Sequence, residues 1–131
     1  MTERNYIQPG KFTRGMNNWL AKVGGMTAVA IPGRKSGEMR LTSVIPVTVE
    51  GKQYLVSTRG DSDWVRNLRA AMRGELRKGR KAQAFTAVEV TGDEREHVVT
   101  AYRKKVGMEV NQYFDKLPDL NDHPVFRLDV T

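Results

Sequence analysis

The chain of 131 residues contains no cysteine, which excludes disulfide bonds, thiol nucleophiles and zinc sites with cysteine ligands. Long apolar runs are also missing, and no stretch approaches the roughly 18 to 20 apolar residues that a membrane-spanning helix requires. The polar residues 1–10 lack the apolar region of a signal peptide, so a cytoplasmic location is predicted. Without repeats or low-complexity linkers, residues 1–131 are expected to form one domain, with residues 1–10 as a candidate disordered segment.

Side chains that commonly carry catalysis or bind metals are scarce. The two histidines, His97 and His123, are not at metal-ligand spacing, so no metal site is predicted and both are expected to be structural. The Gly-x-Ser-x-Gly sequence that presents a serine nucleophile does not occur. An enzyme with so few side-chain catalysts has to take its chemistry from a bound cofactor.

Positive charge is the property that the sequence has in excess. Lys and Arg number 22 against 15 acidic residues, which gives a net charge of +7. This balance predicts attraction of an anion such as a nucleic acid, an acidic lipid surface or a phosphorylated ligand, and a contribution to solubility alone is the alternative. Arg34, Lys35, Arg40 and Arg59 lie beside glycines in predicted loops, and further cations at residues 73–81 flank a predicted hairpin.

The first half of the sequence alternates short apolar segments with turn residues. A helix is predicted at residues 11–23, and strands are predicted at residues 26–31, 40–50 and 53–58. A turn at Gly51-Lys52 would join the last two strands into a hairpin. A second helix is predicted after the capping residue Ser62, with Trp64, Leu68 and Met72 on one face and Gly74 at its end.

The second half begins with an alternating segment at Lys81–Val90, where one face is expected to carry Ala82, Ala84, Thr86, Val88 and Val90. Thr91 and Glu94 have the spacing of a capping box, which predicts a helix to about Val106, and residues 126–130 form a last strand. About six mostly antiparallel strands with three flanking helices predict an α+β fold built on a small β-barrel.

The loop Gly33-Arg34-Lys35-Ser36-Gly37 is the sharpest local feature. Its glycines permit tight turns and close backbone approach, its cations supply charge and Ser36 supplies a hydroxyl group. Such a loop between two strands can hold a phosphate, and an ordinary basic hairpin turn is the alternative. It is not a Walker motif, because the Gly-Lys-Ser order and the following helix are absent.

A second feature is the segment Ser57-Thr58-Arg59-Gly60, which is followed by Trp64 and Asn67. Hydroxyl groups at a strand end, a glycine turn and a capped helix would bring backbone N–H groups near an anionic or ring-shaped ligand. For Trp64 the alternative is a core position, and for Asn67 it is a solvated helix amide.

In this order, the two segments resemble the deazaflavin-dependent nitroreductase family, whose members use coenzyme F-420 (8-hydroxy-5-deazaflavin). The resemblance rests on Gly33 to Gly37, Arg40, Ser57 with Thr58, and Trp64 with Asn67-Leu68, and it covers residues 27–91. It implies a split β-barrel and an oxidoreductase that passes a hydride from the reduced cofactor to an electron-poor organic acceptor. Quinones, nitroaromatics and enones are the acceptors that the family implies.

The resemblance also implies a set of cofactor-binding residues: Gly33, Arg34, Lys35, Ser36, Gly37, Arg40, Thr42, Ser57, Thr58, Arg59, Gly60, Trp64 and Asn67. Arg34, Lys35 and Arg40 would meet the anionic phosphate and oligoglutamate tail. The ring system would lie near Thr42, the Ser57 turn and the Trp64 helix. The chain departs from the family pattern at Thr42-Ser43, where many members have Asn-Pro, and it offers only Tyr102 and Tyr113 in place of a tyrosine cluster. Tyr113 or solvent is expected to deliver the proton.

Two alternatives remain open at this point. A split-barrel enzyme of the same type could use the glycine loop to bind the phosphate of FMN. A nucleic-acid-binding barrel would need an exposed aromatic such as Phe85 or Trp19. The few aromatics and the loop position of the cations count against this alternative, so a small-molecule acceptor and no specific nucleic acid are expected. Peripheral membrane contact and homo-oligomer formation are left open.

Overall fold

The computed structural model describes residues 27–130, so the helix predicted at residues 11–23 and Trp19 lie outside the described residues. The first four elements are strands β1 (Thr27–Pro32), β2 (Met39–Val44), β3 (Val47–Val49) and β4 (Lys52–Val56). Helix α1 (Asp63–Ala71), strands β5 (Arg73–Lys78) and β6 (Lys81–Val90), and helices α2 (Gly92–Lys105) and α3 (Met108–Lys116) follow. A 3-10 turn at Leu120–Asp122 leads into strand β7 (Val125–Val130).

All seven strands belong to one antiparallel sheet with the order β2-β1-β5-β6-β7-β4-β3. Two apolar clusters stabilise it. One packs α1 against β1, β5, β6 and β7, and the other packs α2 and α3 against β3 and β4. Within residues 27–130, every helix falls short of the length and apolar character needed to cross a membrane.

The segment at residues 40–50, predicted as one strand, is two strands at opposite ends of the sheet order. β2 pairs with β1 at one end, and β3 pairs with β4 at the other. Ile45 and Pro46 separate them, and Pro46 cannot continue a ladder because it has no backbone N–H. The break divides one predicted strand into two, and β5 is a further strand for which no range was predicted, so the described residues contain seven strands where about six were expected.

The hairpin between β3 and β4 forms as predicted, but its turn lies one residue earlier. Val49 pairs with Lys52, so Glu50 and Gly51 are the turn residues. Both have positive φ, 52° and 79°, as a two-residue type I′ turn requires. The predicted turn at Gly51-Lys52 is therefore wrong by one position.

Strand β6 is half-buried as predicted, but of the alternating set that begins at Ala82 only Val90 is buried. Phe85, only 2% exposed, and Ala87 point into the core, whereas the positions at 82, 84, 86 and 88 are exposed. The large apolar area of one phenylalanine outweighs that of several alanines in choosing the buried face. Because Phe85 is buried, it cannot stack on nucleic-acid bases.

Helix α1 ends before the glycine that was predicted to end it. Met72 is the residue in the left-handed region, with φ 58°, and its N–H donates to the carbonyl of Leu68 at 2.7 Å. Gly74 instead lies inside β5, directly opposite Phe85. A Cβ atom on Gly74 would lie 2.8 Å from the carbonyl oxygen of Ala30 and 2.8 Å from Cζ of Phe85. The glycine is therefore required by close packing.

Helix α2 begins after Thr91 as predicted, but the capping box does not form. The Thr91 side chain makes no capping hydrogen bond. Glu94 accepts hydrogen bonds from the Tyr54 hydroxyl at 2.8 Å and from Arg127 Nη1 at 3.3 Å. The hydrogen bond from Tyr54, aided by Arg127, lowers the pKa of the Glu94 carboxyl. Glu94 thus attaches α2 to β4 and β7.

Candidate functional site

The glycine-bounded loop connects β1 to β2 and is closed by its own backbone. The N–H of Gly33 donates to the carbonyl of Glu38 at 2.8 Å, and the N–H of Gly37 donates to the carbonyl of Gly33 at 2.9 Å. Ser36 Oγ accepts from the N–H of Glu38 at 3.2 Å. Gly37 has a φ of 78°, which favours glycine. This closure leaves the side chains of residues 34–36 exposed.

The side chain of Asn67, in helix α1, attaches this loop to the helix. It is only 4% exposed, and its Oδ1 accepts from the Arg34 backbone N–H at 3.1 Å and from Arg34 Nη1 at 2.9 Å. Arg34 Nη2 also lies 3.6 Å from Oδ1 of Asp63. The interpretation of Asn67 as a solvated helix amide is therefore wrong, because this side chain joins the loop to α1.

The turn between β4 and α1 is closed by Ser57. Its hydroxyl donates to the carbonyl of Gly60 at 2.5 Å, and the N–H of Ser62 donates to the same carbonyl at 2.9 Å. Gly60 has a φ of 82°. Ser62 occupies the predicted N-cap position, but its hydroxyl makes no capping bond and is buried without a hydrogen-bond partner.

Between the loop and this turn lies a cavity of about 210 Å³. The polar side chains and the tryptophan that line it are Arg40, Thr42, Arg59, Ser62, Asp63, Trp64 and Asn67. Two of these are cations against one carboxylate, and Ser62 supplies the unpartnered hydroxyl. Such a lining suits an anionic group that accepts hydrogen bonds.

A larger cavity of about 440 Å³ shares Arg59 and Trp64 with the smaller one. Its lining includes Ser43, Ser57, Thr58, Tyr102 and Tyr113. The volume is within the usual range for small-molecule sites. Burial raises the pKa of Tyr102 to about 12, although the charge of Arg59 acts in the opposite direction. The Tyr102 hydroxyl consequently keeps its proton at neutral pH.

The two cavities bring together Arg40, Thr42, Ser57, Thr58, Arg59, Trp64, Asn67 and Tyr113 from the sequence-based set. Gly33, Lys35, Ser36, Gly37 and Gly60 line neither cavity, and Arg34 acts on the site through its contact with Asn67.

The sequence analysis did not predict that Ser43 and Ser62 line the cavities, and it did not predict helix α3. The spacing of Val110 and Phe114 is the signal that could have revealed α3, since both belong to one apolar cluster. Asn111 fastens the start of this helix, because its amide donates to the carbonyls of Arg103 at 3.0 Å and Gly107 at 3.2 Å. Through α3, Val110 and Tyr113 form one wall of the larger cavity.

Comparisons with solved structures find a similar fold in other proteins. An F420-H2 dependent reductase (FDR-A) is 28% identical, over 80% of this chain and 94% of that chain, with a TM-score of 0.56. A structure described as a domain-swapped dimer is 25% identical, over 93% of this chain and 100% of that one, with a TM-score of 0.58. HutZ, a heme storage protein of Vibrio cholerae, is 13% identical over 91% and 90% of the two chains, with a TM-score of 0.64, and shows the fold alone.

No curated protein matches the chain. A family model described as F420H(2)-dependent quinone reductase matches residues 13–118. The predicted resemblance to deazaflavin-dependent reductases and the predicted α+β split β-barrel are both confirmed. Because the matched region spans most of the sequence, the chain belongs to the F420H(2)-dependent quinone reductase family and is an oxidoreductase whose cofactor is coenzyme F-420.

Proposed function

We propose that this chain transfers a hydride from reduced coenzyme F-420 to a quinone held in the larger cavity. The joined cavities carry this proposal, because Arg59 and Trp64 line both a small cavity that contains a second cation, Arg40, and a larger cavity that contains two tyrosines. The name of the matching family supports a quinone over a nitroaromatic or an enone as the acceptor. When bound, the cofactor supplies the hydride, and the quinone takes up that hydride and one proton to become a hydroquinone.

The residues around the smaller cavity fit the anionic part of the cofactor. Arg40 and Arg59 line this cavity, and Arg34 and Lys35 lie in the loop that adjoins it through Asn67. The unpartnered Ser62 hydroxyl is a donor that needs an acceptor, since a buried polar group without a hydrogen bond is destabilising. We assign Gly33 and Gly37 to closing the loop and Ser36 to binding the tail through its hydroxyl.

The larger cavity fits a ring-shaped cofactor and an acceptor together. Thr58, the Ser57 turn and Trp64 would bound the ring system in this cavity, and Thr42 would bound it from the adjoining smaller cavity. Tyr102 keeps its proton and would donate a hydrogen bond to a quinone oxygen. Tyr113, half-buried on the wall of this cavity, is the proposed proton donor. The Ser43 hydroxyl, also unpartnered, is a further donor toward this cavity.

The proposed reaction is tested by following the oxidation of reduced coenzyme F-420 in the presence of a quinone, a nitroaromatic or an enone of similar size. We expect acceptor-dependent oxidation that is fastest with the quinone, because the hydroxyls of Tyr102 and Tyr113 are available to its oxygens. Faster reduction of the nitroaromatic or enone would contradict the acceptor assignment. If the protein binds the cofactor but none of the three acceptors supports its oxidation, the proposed function is contradicted.

Replacing Lys35 with alanine should weaken binding of coenzyme F-420 by about 1 to 3 kcal/mol, the range for a charge-assisted hydrogen bond. Lys35 lies exposed in the loop between Arg34 and Ser36, so the substitution removes charge without disturbing the core. Affinity is measured from the change in cofactor fluorescence, at low and high salt, since screening weakens such contacts.

The control for charge alone is Lys104→Ala, which removes an exposed cation from the end of α2. Equal losses in both variants would mean that net charge matters and the loop does not. Unchanged affinity of Lys35→Ala at low salt would show that the loop is only a turn.

A further inference from the structure

His123 lies fully buried between the end of β4 and the carboxyl end of α3. Its Nδ1 is 2.9 Å from the carbonyl oxygen of Ser57, and its Nε2 is within hydrogen-bond distance of the carbonyl oxygen of Leu117. The imidazole ring stacks on Phe114, with ring centroids 4.3 Å apart and planes inclined by 26°. Both ring nitrogens therefore face oxygen atoms that can only accept hydrogen bonds.

The proton count of the ring follows from these two contacts. A neutral imidazole has one N–H, so it satisfies one carbonyl and turns a lone pair toward the other. An imidazolium has two N–H groups and satisfies both. We infer that His123 is an imidazolium that serves as a positioning residue, holding the Ser57 end of β4 and the carboxyl end of α3 together across the base of the active site. The link to the active site rests on the function proposed above.

Two features of the surroundings favour a positive charge on the ring, whereas its complete burial and the Arg103 cation over Phe114 oppose one. Leu117 is the C-cap of α3, where the helix dipole stabilises cations. The face of Phe114 adds a favourable interaction with a cationic ring. The charged groups on the surrounding elements include Asp119 and Asp122 of the 3-10 turn, Glu109, Asp115 and Lys116 of α3, Arg103 of α2 and Arg59 after β4. Asp122, which precedes His123 in the chain, is buried, and Arg103 lies 5.0 Å from the centroid of Phe114.

The two elements that His123 joins form facing parts of the larger cavity. Ser57 lines the cavity and is fixed on its other side, where its N–H donates to the carbonyl of Pro124 at 2.9 Å. Helix α3 contributes Val110 and Tyr113 to the same lining. Loss of one ring proton breaks one of the two bonds, so His123 no longer ties the strand end to the helix. Cofactor affinity should therefore be lower for protein whose His123 ring carries one proton than for protein whose ring carries two.

The protonation state is measured directly by ¹⁵N NMR of the histidine ring in the wild-type protein, over a pH series and without cofactor. We expect two protonated ring nitrogens for His123 at neutral pH. We also expect cofactor affinity, measured by fluorescence over the same series, to drop at the pH where that signature is lost. A neutral His123 tautomer at neutral pH would overturn the inference, and it would do so whether or not the protein reduces quinones.

His123→Gln supplies the second measurement, with His97→Gln on the exposed face of α2 as its control. Glutamine cannot place a donor on both carbonyls, so affinity for coenzyme F-420 should fall about three- to tenfold, the effect of one lost hydrogen bond. The pH dependence of binding should disappear in this variant and persist in the control. An unchanged pH profile in a folded His123→Gln protein would contradict the inference. If the variant does not fold, the wild-type NMR series decides alone.

Discussion

Gly74→Ala should lower the free energy of unfolding by about 2 to 3 kcal/mol, the upper part of the range for overpacking a core. The added Cβ would lie 2.8 Å from the backbone oxygen of Ala30, which belongs to the neighbouring strand and cannot rotate away. It would also meet Phe85, whose ring is held in the core opposite Gly74. Relief requires β1 and β5 to separate or Phe85 to leave its position, and either change weakens the sheet.

Urea denaturation of the two proteins measures this difference. Gly107→Ala is the matched control, because no atom lies within 4 Å of its added Cβ and its φ is negative. The control should lose less than about 1 kcal/mol, from a poorer N-cap on α3. Similar losses for the two substitutions would show that the contacts of Gly74 are not the cause.

Asn67→Leu should reduce affinity for coenzyme F-420 by about tenfold or more, the consequence of releasing two hydrogen bonds to a binding loop. The substitution keeps the side-chain size but removes the Oδ1 atom that accepts from Arg34 at 3.1 and 2.9 Å. The Arg34 backbone N–H then has no acceptor on α1. The loop at residues 33–38 then keeps only the 3.6 Å contact of Arg34 with Asp63 as a side-chain link to the helix, so its cations are held less firmly beside the smaller cavity.

The matched variant is Asn67→Asp, which retains an acceptor oxygen for Arg34 and should bind the cofactor far better than Asn67→Leu. Fluorescence titration gives the affinities, and a thermal melt of each variant reports on stability. If both variants bind like the wild type, Asn67 supports only packing, and the proposed coupling of loop and helix is wrong.

Local patterns predicted the parts of the fold that depend on neighbours in sequence. The β3–β4 hairpin and helices α1 and α2 were all found near their predicted positions. The errors occurred where distant contacts decide the outcome. Phe85 set the buried face of β6 by packing against α1 and β7, and Gly74 was read as a helix end although its role is to let β1 approach β5.

In the candidate site, too, the sequence predicted the contiguous motifs but not the contacts between distant residues. The loop with Arg34 and the turn with Ser57 are contiguous motifs, so the sequence identified them as candidates. The hydrogen bonds between Arg34 and Asn67 join residues 33 positions apart, and no periodicity indicates such a pair. The residues around His123 also give no sign that its ring contacts both β4 and the end of α3. Its contact with Ser57 joins residues that are 66 positions apart.

The position of β7 in the sheet has a consequence for how the chain acquires its structure. This strand lies between β6 and β4, so it joins the group β2-β1-β5-β6 to the hairpin of β3 and β4. A ribosome delivers residues 125–130 after the other described strands. Until then β4 can pair with β3 but lacks its second partner, because the residues that pair with its other edge are Val125–Leu128. Pairing over such sequence separations slows folding and leaves strand edges exposed during synthesis. Yield of this protein should therefore depend on protecting the nascent chain until β7 has emerged.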